Sequence, residues 1–187
     1  VASTRVICNI LTDNAFLCIV AVGMTFVILS GGIDLSVGSV IAFTGVFLAK
    51  MIGDWGIDPI LAFAIIMVMG CSFGAFMGWL IDTLKIPAFI ITLAGMFFLR
   101  GVSFLVSEQS IPIDHPLYSS LSSIAWKIPG GGRFSLLAVI MLAVVLFGII
   151  LAHRTRFGNN VYALGGNPTS TELMGISTRK TTIGIYM

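Results

Sequence analysis

Between Pro59 and Asp82 the chain runs for 22 residues, Ile60–Ile81, without one charged side chain. As an α-helix rising ~1.5 Å per residue, this stretch is about 33 Å long, enough to cross a hydrocarbon core of ~30 Å. In lipid every backbone polar group must be satisfied internally, so such a run commits its surroundings to a helical membrane architecture. Three further apolar blocks agree. Ile86–Val106 carries one charge, Arg100, and Phe134–Ala152 carries none. Ala15–Gly53 is longer than one crossing requires and is interrupted by Ser30-Gly31-Gly32-Ile33-Asp34-Leu35-Ser36. Only 10% of all residues are charged and 57% are hydrophobic, against about 25% charged in an average soluble domain. That balance excludes disorder, and 10 Lys+Arg against 8 Asp+Glu argues against a nucleic-acid partner. The expected fold is all-α, a polytopic transmembrane helical bundle with spans at about 15–29, 36–53, 60–81, 86–106 and 134–152. Because the chain starts at Val1 and Ile183–Met187 reads as the opening of another apolar segment, 1–187 is expected to be one incomplete membrane domain.

Basic residues in short loops orient such a bundle. His153–Lys180 holds Arg154, Arg156, Arg179 and Lys180 against Glu172, so the loop 153–182 is expected in the cytoplasm. Ser107–Arg133, with Glu108 and Asp114 against Lys127 and Arg133, and Lys50–Pro59, with Asp54 and Asp58 against Lys50, then fall outside. Asp82–Lys85 becomes a tight inner turn. The first block reads either as two short helices meeting at the inner side near Gly31-Gly32, which is favoured and places 1–14 outside, or as one crossing made of two half-helices.

Three features stand out within this layout. The first is the break, where Gly31 and Gly32 interrupt the helix and Asp34 stands where an N-cap would stand. An acid between apolar blocks is a helix cap near the headgroups, part of a pathway lining together with Gly31, Gly32 and Ser36, or an ion-coupling carboxylate. The second is the stripe Gly70, Gly74 and Gly78, four residues apart, which lets a neighbouring helix approach closely. The third lies in the cytoplasmic loop. Asn167 suits an N-cap, Pro168 suits N1 and Gly175 suits C′, defining a short helix Pro168–Met174. Leu173, Met174 and Ile176 form its apolar edge, and Gly165-Gly166 reads as a flexible lead-in. The helix is presented either to a cytoplasmic partner or to the lipid surface. Among the remaining positions, Arg100 can snorkel or pair inward, Pro87 suits a first helical turn, and Trp126 suits an interfacial anchor. Cys8, Cys18 and Cys71 show no ligand spacing. No Walker A or HExxH motif is present, and His115 and His153 fall on opposite sides. No metal, catalytic set or bound cofactor is therefore expected.

Three segments, AVGMTFVILSGGIDLSVGS (Ala21–Ser39), KIPAFIITLAGMFFLRG (Lys85–Gly101) and RTRFGNNVYALGGNPTSTELMGIS (Arg154–Ser177), resemble in order the permease subunits of bacterial monosaccharide ABC importers. This is the ribose, arabinose, galactose and autoinducer-2 group, and the wording is closest to the galactofuranose permeases of enteric bacteria. The resemblance implies an inner-membrane, multi-pass translocation subunit rather than an enzyme. Gly165–Ile176 would dock on a cytoplasmic ATP-binding subunit, which uses Mg-ATP. A second permease subunit and a periplasmic sugar-binding protein would complete the importer, which works by alternating access. Where relatives often carry small alanines in the docking helix, this chain has Ser170, Thr171 and Glu172, and where many carry Pro-Pro it has Pro87-Ala88. The rival classes are an ion-coupled secondary transporter and a non-transporting membrane subunit.

Overall fold

The computed structural model describes residues 3–109, 111–113, 115–128 and 132–187. Val1, Asp114 and Pro129–Gly131 lie outside the described residues, so the loop charge read at Asp114 is not placed. The chain folds as an all-α membrane bundle with one short hairpin. Its elements are α1 (Thr4–Asp13), α2 (Ala15–Leu29), α3 (Val37–Gly53), α4 (Pro59–Leu84), α5 (Ala88–Val106), α6 (Pro116–Ser123), β1 (Ala125–Ile128), β2 (Gly132–Ser135), α7 (Leu136–Arg154), α8 (Arg156–Gly166), α9 (Pro168–Leu173) and α10 (Thr178–Tyr186).

Among the described residues, α4, α5 and α7 are each long and apolar enough to cross a membrane. The expected short helices at 15–29 and 36–53 are α2 and α3, of 15 and 17 residues. α1 and α2 meet at Asn14 with a bend of 58°. Large apolar side chains face outward along these helices, as lipid contact requires: Phe104 is 68% and Leu105 87% exposed.

Local chemistry sets the boundaries. Asp58 caps α4, its Oδ1 accepting from the Ile60 N–H at 2.9 Å, with Pro59 in the first turn. The expected tight turn at Asp82–Lys85 is displaced. α4 continues to Leu84, and Lys85, at φ 53°, ends it. Pro87 is not in the first turn of α5 but at its N-cap, with extended backbone (φ −52°, ψ 133°). Phe134 belongs to the hairpin, opposite Trp126, and α7 starts only after Ser135, whose Oγ accepts from Ala138 N–H at 3.2 Å. The expected loop 153–182 is three helices, so Gly165 and Gly166 form the last turn of α8 rather than a flexible lead-in.

The bundle has two distinct ends. At one, α1 packs on β2, with Thr12 and Ser135 hydroxyls 2.9 Å apart. There too Met51, Ile52 and Ala62 pack with Ile113 and Tyr118, and Trp55 and Trp126 are exposed. At the other, a core of Phe26, Val27, Ala152, Val161, Leu164 and Ile185 joins α2, α7, α8 and α10. This end carries Arg154, Arg156, Arg179 and Lys180 and is called the basic end below. α2 and α3 meet here, while their far ends lead to α1 and α4 at the hairpin end. They are therefore two limbs of a hairpin-like pair rather than one straight crossing.

Candidate functional site

The break between α2 and α3 is built by backbone hydrogen bonds. Gly31 N–H donates to the Ile28 carbonyl and Gly32 N–H to the Val27 carbonyl, both at 3.0 Å. This is the Schellman arrangement, with Gly31 at φ 78° in the left-handed position that glycine adopts without a Cβ penalty. The chain then runs without regular secondary structure to Ser36. Asp34 is not the N-cap of α3, because the N-cap is Ser36. Instead Asp34 Oδ1 accepts from both the Ser36 N–H and the Ser36 hydroxyl, each at 2.7 Å, closing an Asx turn two residues ahead of the helix.

Irregular backbone between apolar helices needs partners, and α5 supplies one. Thr92 is fully buried. Its Oγ1 accepts from the Leu35 N–H at 3.2 Å and faces the Ile33 carbonyl at 3.2 Å and the Phe89 carbonyl at 3.3 Å, donating its proton to one of them. Sequence reading missed Thr92, whose only signal is a hydroxyl inside an apolar span.

Asp34 and Ser36 border a cavity of about 640 Å³ between α3 and α4. Its walls are mostly apolar, with Val40, Met67, Gly70, Cys71 and Tyr186 among the lining residues. Gly70 faces open space, whereas Gly74 and Gly78 do not. A Cβ on Gly74 would strike the Tyr186 carbonyl, and one on Gly78 would come within 2.8 Å of Ile183 Cα. The helix that the stripe admits is thus α10 of this same chain, and only two of its three glycines serve that contact.

The segment Gly165–Ile176 lies at the basic end. Asn167 Oδ1 accepts from Ser170 N–H at 2.9 Å, capping α9, with Pro168 in the first turn. Gly175, at φ 79°, closes it through a second Schellman pair, Gly175 N–H to the Glu172 carbonyl (2.9 Å) and Ile176 N–H to the Thr171 carbonyl (3.2 Å). Leu173 is 85% and Met174 67% exposed, whereas Ile176 is half-buried and Thr171 is buried. Thr178 Oγ1 lies 3.4 Å from Glu172 Oε1 and 3.3 Å from Asp82 Oδ1, which also meets Lys85 Nζ at 3.3 Å. This hydroxyl ties α9 and α10 to the end of α4.

The break and the segment Gly165–Ile176 touch. A Cβ on Gly165 would strike the Leu29 carbonyl and lie 3.2 Å from Ser30 Cα. Gly165 therefore seats the last turn of α8 on the backbone where α2 ends, while Gly166 faces open space. Arg100 is exposed on α5, and the ion pairs among the described residues are Lys50–Asp54 and Lys85–Asp82. His115 caps α6 at the hairpin end, its Nδ1 accepting from Leu117 N–H at 3.2 Å, and His153 closes α7 at the basic end.

Comparison with known proteins adds to this geometry. The chain is 80% identical over 186 residues to the inner membrane ABC transporter permease protein YjfF of Escherichia coli (strain K12), covering 100% of this chain and 56% of that protein. It is 37% identical to the fructose import permease protein FruG of Bifidobacterium longum (strain NCC 2705), covering 97% of this chain and 55% of that protein. It is 38% identical to the ribose import permease protein RbsC of Escherichia coli (strain K12), covering 95% and 55%. The chain thus spans about half the length of the curated relatives it matches. No solved structure matches it. The model of the family described as the permease component of the branched-chain amino acid transport system matches residues 6–187, and the chain belongs to that family.

Proposed function

We propose that this chain is the membrane-spanning part of a permease subunit of an ATP-binding cassette importer that moves a monosaccharide across the bacterial inner membrane. The family itself is described by amino acid transport, but the relatives named for fructose and ribose favour a sugar. Galactofuranose is the specific sugar proposed. The observation that carries the mechanism is the seat of Gly165 on Leu29 and Ser30. It joins a doubly capped helix with exposed Leu173 and Met174 to the break that borders the cavity. In this reading α9 docks on a cytoplasmic subunit that binds and hydrolyses Mg-ATP. Movement of α9 reaches the Ser30–Ser36 break through α8 and biases the cavity between outward and inward openings. Two global states coupled to two distinct ligands are the physical content of alternating access. A second permease subunit and a periplasmic sugar-binding protein complete the importer, and this chain supplies no catalytic residue.

The test uses the full-length permease with its partner subunits in proteoliposomes. Labelled galactose, including its furanose form, ribose, fructose and xylose are offered with the binding protein. The expected result is uptake of one of them that follows internal Mg-ATP and survives a protonophore. Uptake that collapses with the proton gradient and ignores ATP overturns the reading in favour of an ion-coupled carrier. No uptake of any sugar, with no ATPase subunit co-purifying, overturns it in favour of a non-transporting subunit.

A further inference from the structure

We infer that Thr178 is a positioning residue whose one hydroxyl proton switches between Glu172 and Asp82, holding α9 in its seat in one state and releasing it in the other. The inference deepens the importer reading and rests on it, because α9 is the helix proposed to dock. Thr178 is buried at the start of α10. Its Oγ1 can donate to Glu172 Oε1 of α9 at 3.4 Å or to Asp82 Oδ1 of α4 at 3.3 Å. A threonine hydroxyl has one proton, so it serves one carboxylate at a time. Among the described residues, Thr178–Glu172 is the side-chain hydrogen bond that links α9 to another helix, since Asn167 and Thr171 bond within their own turn.

Neither carboxylate is stranded when the proton leaves it. Asp82 keeps Lys85 Nζ at 3.3 Å, and Glu172 is exposed and takes water in its place. The two arrangements are therefore close in energy, which a switch requires. α10 stays where it is in both, because Gly74 and Gly78 let its backbone lie against α4. α9 has room to shift, since a cavity of about 310 Å³ is bordered by Asp82 and Lys85 at the end of α4, by Pro168 and Glu172 of α9, and by Thr178. Leu173 and Met174 project from the same short helix, so displacement by a docked subunit bears directly on the Glu172 bond. Handing the proton to Asp82 frees α9 without leaving a buried donor unmet.

The experiment follows backbone amide exchange of α9 by mass spectrometry in the full-length permease with its partner subunits in proteoliposomes. A helix of six residues is not stable alone, so its amides exchange when it leaves its seat. A neutral amide accepts about half as strongly as a carboxylate. Asp82→Asn weakens the rival acceptor and should slow α9 exchange about fivefold, whereas Glu172→Gln should speed it by a similar factor. Thr178→Val should also speed it, and adding Asp82→Asn to that variant should change nothing further. Thr178→Ser, which keeps the proton, should keep the unaltered rate. Because each acid variant favours one state, both should move several-fold less sugar per ATP hydrolysed. A plain tether instead speeds exchange in Asp82→Asn, Glu172→Gln and Thr178→Val alike, which overturns the inference while sparing the importer reading. An unchanged amount of sugar per ATP in both acid variants does the same. Absence of ATP-driven uptake by the unaltered complex overturns the importer reading, and the inference with it.

Discussion

At the residue scale the decisive groups hold irregular backbone in place inside an apolar bundle. Thr92 is the clearest case, because it is fully buried and its hydroxyl meets both Leu35 N–H and the Ile33 carbonyl. Thr92→Val keeps the shape and removes the hydroxyl, leaving the Leu35 N–H without this partner, so it should destabilise the protein by about 1–3 kcal/mol. Thr92→Ser keeps the hydroxyl and should cost less. Thermal unfolding of the detergent-solubilised full-length protein checks this, and equal melting temperatures for the valine and serine variants would refute it. Asp34 was visible in the sequence because a charge between apolar blocks is conspicuous. Thr92 was not, since a threonine in a span usually bonds its own helix, as Thr25 does to the Ala21 carbonyl. The role of Thr92 depends on α5 passing beside the break, and no local pattern encodes that.

At the element scale, what could be read from sequence was what each segment does alone. Long apolar runs became α4, α5 and α7, and the capping residues Asn167, Pro168 and Gly175 placed α9, because caps act within one turn. α8, the first half of α10 and the β1–β2 hairpin escaped because their apolar faces are short and are satisfied by other elements. Val161 and Leu164 of α8 and Ile185 of α10 bury against Phe26 and Val27 of α2. The glycine stripe shows the same limit, since spacing announces a close neighbour but does not identify it. With α10 identified, the three glycines separate. Gly74→Ala and Gly78→Ala place a methyl against α10 backbone and should loosen the α4–α10 pair, whereas Gly70→Ala points into open cavity. Protease sensitivity of α10 in the full-length protein should therefore rise for Gly74→Ala and Gly78→Ala and stay at the unaltered level for Gly70→Ala. Equal sensitivity across the three variants would mean that α10 does not lie on the stripe.

At the scale of the whole molecule, the arrangement connects a surface helix to a buried break through few parts. α9 is capped at both ends and projects Leu173 and Met174 outward. α8 leads to it from α7, and Thr155 Oγ1 accepts from Gly158 N–H at 3.2 Å where α8 begins. The last turn of α8 rests on Leu29 and Ser30 through Gly165. Closely packed backbone transmits displacement because it has no soft side chain to absorb the movement. Gly165→Ala should separate α8 from the break without disturbing the caps of α9, since Asn167, Pro168 and Gly175 are untouched. In the proposed importer, docking of the ATPase subunit would then persist while its movement no longer reaches the cavity. The expected result is several-fold less sugar moved per ATP hydrolysed, measured in proteoliposomes of the full complex. Gly166→Ala, one residue on and facing open space, provides the matched control and should keep the unaltered ratio. If both variants keep that ratio, the contact at Gly165 is packing alone and coupling takes another route, such as the Thr178 hydroxyl between Asp82 and Glu172. If both lose it equally, the effect belongs to helix propensity in the last turn of α8 rather than to its seat on the break.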